Sequence, residues 1–558
     1  TGGDVNSNVL ISHSTGDAQL DKAVWQWLSW DKNQKTKEQI ENLLQNGKHK
    51  ELRDRLCCRL TFGTAGLRSA MGAGFCYIND LTVIQSTQGI YKYLERCFSD
   101  FKQRGFVVGY DTRGQVTSNC SSKKLAKLTA AVLLAKDVPV YFFSTYVPTP
   151  FVPYAVQQLK AVAGVMITAS HNRKEDNGYK VYWENGAQIK SPHDKEIIKC
   201  IEECVEPWNG SWNENLVDTS PLRQDPLKKI CDSYMEDLKK ICYHRCSMKR
   251  SALKDGFKSL WFAEAECSDL PLTSLPAAVV LSSSCWEESA APILSHPIPS
   301  LMCHYIKRRP PGGGKRSSCT LLLDLKLSAG LNAVHSVLFF LFQETLPGFK
   351  WIGSRVKDLL DNGKEVLFAF EESIGFMCGT SVLDKDGVSA AVVIAEMAAY
   401  LETKNLSLAQ KLTEVYETYG YHTSKPSSLL CYDPPTIKRI FERLRNFDGP
   451  QSYPKFCGDY NILHVRDITT GYDSSQPDKK SVLPVSKSSQ MITFTFQNGC
   501  VATLRTSGTE PKIKYYAEMC ALPEQSDRAV LEEERQKLVE ALIENFLEPD
   551  KNGLIWRS

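Results

Sequence analysis

The chain has 558 residues, which suggests three or four domains, and its 42% apolar residues can bury a sizeable core. Its 67 basic and 64 acidic residues leave a net charge of +3, so the composition lacks the excess of basic residues that is typical of nucleic-acid-binding proteins. Nineteen cysteines without CxxC pairs favour reduced thiols over a disulfide framework. The N-terminus lacks a signal-peptide pattern, and the apolar run 337–342 is too short to span a bilayer, so we expect a cytoplasmic protein with no membrane partner.

The first half of the chain alternates between helical and strand patterns. After a helical region over 18–60, a glycine-containing turn at 62–68 ends in Arg68, and glycines of this kind let backbone N–H groups approach an anion. A buried strand over 106–110 runs into Asp-Thr-Arg, and a helix and another strand follow. This alternation predicts a mostly parallel α/β sheet with ligand loops at the carboxyl ends of its strands.

The most informative stretch is 163–189. An apolar strand ends in Thr-Ala-Ser-His-Asn, and a second strand carrying Lys180 turns back at Asn185-Gly186, a strong hairpin signal. By itself a Ser-His pair is more often a plain turn. A serine hydrolase is a poor interpretation, because Gly-x-Ser-x-Gly is missing and His171 points away from its neighbour Ser170 along an extended segment.

The second half contains two further loops with ligand-binding character. The strand over 366–370 ends in Glu-Glu-Ser-Ile-Gly, where a carboxylate can accept hydrogen bonds from vicinal sugar hydroxyls. A hairpin over 491–504 runs into Arg-Thr-Ser-Gly-Thr-Glu-Pro-Lys at 505–512, and its donors around one turn suit a phosphate. A helix is predicted for 527–546, capped by Ser526 or Asp527.

These motifs together resemble one family. TASHN with NGYKVY, FGTAGLR, GYDTR, TLPGFK, EESIG and RTSGTEPK are similar to loops of the α-D-phosphohexomutases, and nearest to the phosphoglucomutase-2-like branch. The resemblance covers about 20–245 and 344–558. It implies a multi-domain fold of mixed α/β sheet domains with a C-terminal α+β domain, which we divide into 1–215, 216–343, 344–440 and 441–558.

The resemblance also implies roles for individual residues. Ser170 takes the position of the phosphoryl carrier, and His171 and Lys180 take the general acid/base positions, with Arg68 as a further catalytic residue. The implied substrate-binding residues are Thr64, Asn172, Thr345, Gly348, Lys350, Glu371, Ser373, Arg505, Ser507, Gly508, Thr509 and Lys512.

The implied cofactor is Mg²⁺, held by the phosphate on Ser170 and by an Asp-x-Asp-x-Asp-Arg loop. The sequence contains no such loop, and its one Asp-x-Asp is Asp384-Lys385-Asp386. The stretch 246–343 is rich in Ser, Pro and Cys and shows no sustained helical or strand periodicity. We therefore interpret the second domain as disrupted, either by a gene-model or splicing artefact or by a divergent insertion.

The family implies small-molecule sugar phosphates as partners. The interpretation we favour is a phosphotransferase on hexose phosphates that is recharged by a sugar bisphosphate or an acyl phosphate such as 1,3-bisphosphoglycerate. A mutase of hexose or pentose phosphates is the first alternative. A chain that binds phosphosugars without turnover, because the metal loop is missing, is the second.

Overall fold

The computed structural model describes residues 14–60, 66–170, 172–242, 319–324, 341–371, 375–487, 489–507, 512–521 and 527–556. These residues fall into two compact units. Unit 1 contains the described residues up to Ile241 together with Ser381–Gly387, and unit 2 contains those from Cys319 to Thr380 and from Val388 onward. Within the described ranges we find no helix with the length and apolar character needed to cross a bilayer.

Unit 1 is built on a six-stranded sheet. Its strands and a small two-stranded ribbon are Gly66–Ala70 (β1), Phe106–Tyr110 (β2), Gly114–Gln115 (β3), Cys120–Ser121 (β4), Val140–Phe142 (β5), Ala163–Ile167 (β6), Asp176–Trp183 (β7) and Arg223–Gln224 (β8). The sheet order is β1-β7-β6-β2-β5-β8, and β3 pairs only with β4. Strands β6, β2, β5 and β8 are parallel, whereas β7 and β1 run antiparallel to their neighbours, so the sheet is mixed as predicted.

The helices of unit 1 cover this sheet and form a separate N-terminal cluster. They span Ala18–Trp30 (α1), Gln34–Gln45 (α2), His49–Leu56 (α3), Asp80–Cys97 (α4), Phe101–Arg104 (α5), Ser122–Leu134 (α6), Phe151–Leu159 (α7), His193–Glu202 (α8), Leu216–Thr219 (α9) and Leu227–Ile241 (α10). Val108 and Val165 of the sheet pack with Ile90 of α4 and Leu125 of α6 in the main core. Strands buried by helices in this way are apolar along their whole length.

Unit 2 begins with a four-stranded sheet. Its elements are Cys319–Asp324 (β9), Leu341–Thr345 (β10), Phe349–Asp361 (α11), Glu365–Glu371 (β11), Gly375–Cys378 (β12), Gly387–Glu402 (α12) and Leu408–Tyr419 (α13). The order is β10-β9-β11-β12, with β9 parallel to both neighbours and β12 antiparallel to β11. Thr345 and Glu371 therefore lie at the same carboxyl edge of the sheet.

Unit 2 ends with an eight-stranded sheet, in which all strand pairs are antiparallel. Its elements are His422–Leu430 (β13), Pro434–Arg445 (α14), Phe456–Cys457 (β14), Tyr460–Asp467 (β15), Tyr472–Asp473 (β16), Met491–Phe496 (β17), Val501–Thr506 (β18), Lys512–Cys520 (β19), Arg528–Leu542 (α15), the π-helical turn Ile543–Leu547, Pro549–Asn552 (α16) and Ile555–Trp556 (β20). Asp527 caps α15, in agreement with the sequence pattern. Phe494 and Leu504 pack with Leu538 and Phe546.

Strand pairings cross each of the predicted domain boundaries. Strand β8 pairs with β5, so the first domain extends beyond residue 215. Strands β9 and β10 pair with each other, and β9 pairs with β11, so part of the stretch predicted as a disrupted second domain belongs to the sheet that follows it. Strand β13 pairs with β19, so the last domain begins before residue 441. Short strands of irregular composition were missed because their pairing partners lie far away in the chain.

Candidate functional site

The first group of predicted site residues lies where two parallel strands of unit 1 end. Ser170 follows β6 and Asp111 follows β2, and the Asp111 N–H donates to the carbonyl of Ile167 at 3.1 Å. The loop after β6 and the Asp-Thr-Arg turn after β2 are therefore neighbours. This carboxyl edge is the usual place for a ligand site in an open α/β sheet.

Ser170 has an unusual backbone conformation. Its φ of 58° lies in the left-handed region, which side chains other than glycine adopt at a cost. Its N–H donates to Thr168 Oγ1 at 2.9 Å, and its Oγ accepts a hydrogen bond from Lys180 Nζ. The hydroxyl is therefore presented on a turned loop, with an ammonium group directly beside it.

Lys180 is buried, with 5% of its surface exposed. Burial lowers the pKa of Lys180 well below its ordinary value, and the charges of Lys385 and Arg68 act in the same direction, whereas Asp384 and Asp111 oppose them. The lysine lies on β7 opposite Gly66 of β1. Gly66 has a φ of 138°, and a side chain there would overlap the carbonyl oxygen of Tyr179, so only glycine fits this crossing.

Arg68 and Asn172 are brought together across β1 and the serine loop. Arg68 Nη1 donates to Asn172 Oδ1 at 3.2 Å, and Asn172 Nδ2 donates to Asp176 Oδ2 at 3.1 Å. Arg68 pairs in register with Gly178 on β7, two residues from Lys180. Two basic side chains, Arg68 and Lys180, thus flank the Ser170 loop.

The Asp-x-Asp sequence at 384–386 has a structural role in unit 1. Asp384 is fully buried, and its Oδ2 accepts hydrogen bonds from Tyr182 at 2.7 Å and Gln188 at 2.6 Å. Burial acts to raise the pKa of Asp384, but Lys385, Lys180 and these two hydrogen bonds outweigh it and lower the pKa. Asp386 accepts from Tyr234 at 2.8 Å. The sequence motif drew attention to these carboxylates without revealing their partners.

The predicted sugar-binding residues lie in unit 2. Thr345 ends β10 and is buried, Gly348 has a φ of 106° before α11, and the Lys350 ammonium lies 5.2 Å from the centre of the Trp351 ring. Glu371 ends β11 at the same sheet edge as Thr345. The strands that lead into the two loops resembling sugar-binding loops therefore end at the same sheet edge, on either side of β9.

The predicted phosphate loop joins β18 and β19. The Ser507 N–H donates to the Lys512 carbonyl at 3.0 Å and closes the turn. Arg505 Nη2 donates to the Tyr516 hydroxyl at 3.2 Å, and its guanidinium lies 5.7 Å from the centre of the Tyr516 ring. These contacts hold the guanidinium against the Tyr516 side chain.

This turn lies close to the sugar loop within unit 2. Leu346 packs with Ile468 and Met491, and Met491 is the cross-strand partner of Arg505. Arg466 Nη1 also donates to Glu344 Oε2 at 2.9 Å. Five other predicted site residues lie outside the described residues: Thr64, His171, Ser373, Gly508 and Thr509.

The described residues do not fit a protein-bound Mg²⁺ beside Ser170. Among them no group of three or more His, Cys, Asp or Glu side chains is arranged to hold a metal ion. Asp111, a carboxylate at this sheet edge, accepts from Ser122 Oγ at 2.5 Å and from the Arg113 N–H at 3.0 Å.

Fold and loops together define a multi-domain α/β enzyme of phosphoryl transfer, and comparisons with known proteins agree. The model of the phosphoglucomutase/phosphomannomutase alpha/beta/alpha domain I matches residues 59–207, and that of domain III matches 296–419. Glucose 1,6-bisphosphate synthase from Homo sapiens is 66% identical over 617 positions, covering 100% of this chain and 99% of the relative. Phosphopentomutase from Homo sapiens is 47% identical over 596 positions, covering 96% and 97%.

Solved structures show the same fold at low sequence identity. A putative phosphomannomutase from Thermus thermophilus matches with a TM-score of 0.56 at 19% identity, covering 87% of this chain and 99% of that one. Parafusin, a phosphoglucomutase from Paramecium, matches with a TM-score of 0.57 at 14% identity, covering 87% and 96%. The chain belongs to the phosphoglucomutase/phosphomannomutase family, the α-D-phosphohexomutases, and to its phosphoglucomutase-2-like branch.

The match to domain III begins at residue 296, so it overlaps residues 296–343 of the stretch that we interpreted as a disrupted second domain. The alignment with the human synthase spans 617 positions against 558 residues here, so the relative has residues with no counterpart in this chain. Phosphohexomutases as a family depend on Mg²⁺ and use bisphosphate sugars.

Proposed function

We propose that this chain is a phosphotransferase on hexose phosphates that works through phospho-Ser170, with the activity of a glucose 1,6-bisphosphate synthase. The observation that carries the proposal is the Ser170 hydroxyl at the carboxyl edge of the sheet, bonded to the buried Lys180 and flanked by Arg68. The identity of two-thirds to the synthases supports this activity over that of the phosphopentomutases, which are less similar.

The proposed transfer follows the residue roles that the resemblance implies. Glucose 1-phosphate binds through its phosphate at Arg505, Ser507, Gly508, Thr509 and Lys512, and through its hydroxyls at Glu371 and Ser373, beside Thr345, Gly348 and Lys350. The bond between phosphorus and Ser170 Oγ then breaks as a bond to the 6-hydroxyl oxygen forms. His171 takes the proton of that hydroxyl, and Lys180, which already donates to Oγ, supplies a proton to the departing serine oxygen.

The remaining residues stabilise the charge of the moving group. Phosphoserine carries about −1.5 to −2 charges, so it needs cationic groups close by. Arg68 and Lys180 are those groups among the described residues, with Asn172 orienting Arg68 and Thr64 contributing from the preceding turn. Ser170 is then recharged by an acyl phosphate such as 1,3-bisphosphoglycerate or by a sugar bisphosphate.

Transfer of label from a phosphoryl donor tests this function. Full-length protein is incubated with glucose 1-phosphate and either labelled 1,3-bisphosphoglycerate or labelled glucose 1,6-bisphosphate, and protein-bound label and product are measured. We expect label on wild-type protein and on a control variant, Ser144→Ala, which changes an exposed serine of the same unit. Ser170→Ala should carry none while still binding glucose 1-phosphate. Label retained on Ser170→Ala would disprove the assignment.

The same experiment separates the alternatives. A synthase accumulates bisphosphate with the acyl phosphate donor, whereas a mutase returns the phosphoryl group to Ser170 and produces the isomeric monophosphate. A chain that binds sugar phosphates without turnover is the candidate favoured by the missing aspartate loop. It would bind glucose 1-phosphate and take label from neither donor.

A further inference from the structure

The loop that carries Ser170 has few apolar anchors. Arg173, Lys174 and Glu175 are exposed, and Asn172 and Asp176 are partly exposed. The left-handed backbone at Ser170 adds a local cost, because a side chain in this conformation crowds its own backbone. The conformation of the loop must therefore be maintained by polar contacts.

One buried side chain supplies four of these contacts. Arg113 Nη2 donates to the carbonyl oxygens of Ser170 at 2.6 Å and Asn172 at 3.0 Å. Its Nη1 donates to the carbonyl oxygens of Arg173 at 2.5 Å and Asp176 at 3.0 Å. A single guanidinium thus gathers four carbonyl groups of the serine loop.

Arg113 is itself held rigidly. Its Nε donates to Asp111 Oδ2 at 3.2 Å, its backbone N–H donates to Asp111 Oδ1 at 3.0 Å, and its side chain is 6% exposed. Ser122 Oγ donates to the same carboxylate, and Asn177 Nδ2 donates to Ser122 Oγ at 3.0 Å. This hydrogen-bond network therefore connects Asp111, which follows β2, with Ser122 of α6 and Asn177 of β7.

We propose that Arg113 is the positioning residue of the phosphoserine loop, and that it sets the direction of Ser170 Oγ by fixing the Ser170 carbonyl and three carbonyls that follow it in the loop. This inference rests on the proposed role of Ser170. A lysine cannot replace the arginine, because donors on both terminal nitrogens of a planar fork are needed to reach these four carbonyls.

Local hydrogen exchange tests the proposal without requiring activity. Amide exchange over 169–176 is measured by mass spectrometry in wild-type protein and in Arg113→Ala, Arg113→Lys and Arg104→Ala. Arg104 is a matched control, since its guanidinium also binds backbone carbonyls, those of Lys160 and Ala161, away from the serine loop. We expect exchange to rise about tenfold or more in the loop of both Arg113 variants and to stay unchanged in the control.

Chemical rescue provides the second readout. Guanidinium at low, non-denaturing concentration should restore slow loop exchange in Arg113→Ala, and it should restore the rate of Ser170 phosphorylation from labelled glucose 1,6-bisphosphate. Loop exchange equal to wild type in Arg113→Ala would overturn the proposal. An increase in exchange that extends equally over β2 and β6, and that guanidinium does not reverse, would also overturn the proposal, because Arg113 would then stabilise the whole sheet. If wild-type protein takes no label, the proposed function fails, while the exchange result still decides the role of Arg113.

Discussion

Single residues in this protein work through charges placed in or beside buried positions. Lys180 donates to the Ser170 hydroxyl, and the Arg505 guanidinium lies 5.7 Å from the centre of the Tyr516 ring. A cation held by an aromatic ring and a hydrogen bond loses little side-chain freedom when it binds an anion. The binding strength of the distal turn should therefore depend on Arg505 more than on the neighbouring hydroxyls.

We predict that Arg505→Ala weakens binding of glucose 1-phosphate by ~10-fold to 100-fold, which corresponds to the loss of a charge-assisted contact of about 1.5–3 kcal/mol. Phosphorylation of Ser170 should change much less, because that step takes place on unit 1. Calorimetric titration measures the first effect and label incorporation the second. Tyr516→Phe removes the hydroxyl partner but keeps the ring, so it should weaken binding only slightly. Equal affinity in wild-type protein and Arg505→Ala would exclude this site.

At the scale of elements, the segment 381–387 stabilises the hairpin that carries Lys180. Tyr182 is on β7 two residues after Lys180, and residues two apart on a strand share a face. Its hydroxyl donates to Asp384, 202 positions later in the chain, and Gln188 from the other arm of the turn donates to the same oxygen. One buried carboxylate therefore ties both arms of the hairpin together.

We predict that Asp384→Ala lowers the free energy of unfolding of unit 1 by about 2–5 kcal/mol, since two buried donors lose their acceptor and each unsatisfied group costs roughly 1–3 kcal/mol. Asp384→Asn keeps an oxygen for Tyr182 and Gln188 and should lose less than half as much. Urea unfolding followed by tryptophan fluorescence measures both variants. A loss in Asp384→Asn as large as in Asp384→Ala would show that the charge, and not the hydrogen bonds, is what stabilises the hairpin.

At the scale of the whole molecule, the main feature is the stretch of sequence between the first domain and the four-stranded sheet. The family model of domain I ends at 207, that of domain III begins at 296, and the aspartate loop that holds Mg²⁺ in the family occurs nowhere in the sequence. Transfer brings together two highly charged phosphate groups, and their repulsion is usually offset by a divalent ion. This chain should therefore turn over slowly.

We predict that replacing 246–295 with a second domain of family type, including its Asp-x-Asp-x-Asp-Arg loop, raises the rate of bisphosphate formation at least ~100-fold, because metal-assisted charge stabilisation contributes several kcal/mol. The gain should disappear when Mg²⁺ is removed with a chelator. A control insertion with the three aspartates changed to asparagine should give no gain. Full, Mg²⁺-dependent activity in the unmodified 558-residue chain would contradict the prediction.

Much of this protein was determined by local sequence. The strand that ends in Ser170, the hairpin turn at Asn185-Gly186 and the turn after Arg505 are each encoded within a short window, because buried strands, turns and anion-binding loops have strong local patterns. The same windows carried the resemblance to the phosphohexomutases. Both the family and the mixed α/β sheet of unit 1 were predicted correctly from them.

Other features were decided only by tertiary structure. The sequence assigned no role to Arg113, and it compared Asp384 only with a metal-binding loop. The reason is that the Ser170 carbonyl bound by Arg113 and the Tyr182 hydroxyl bound by Asp384 are 57 and 202 positions away in the chain. Strands β9 and β13 were not predicted, because a strand is identified by its hydrogen-bonded neighbours more than by its own composition. Contacts between residues distant in sequence leave no periodic trace in either segment, so only the folded chain shows them.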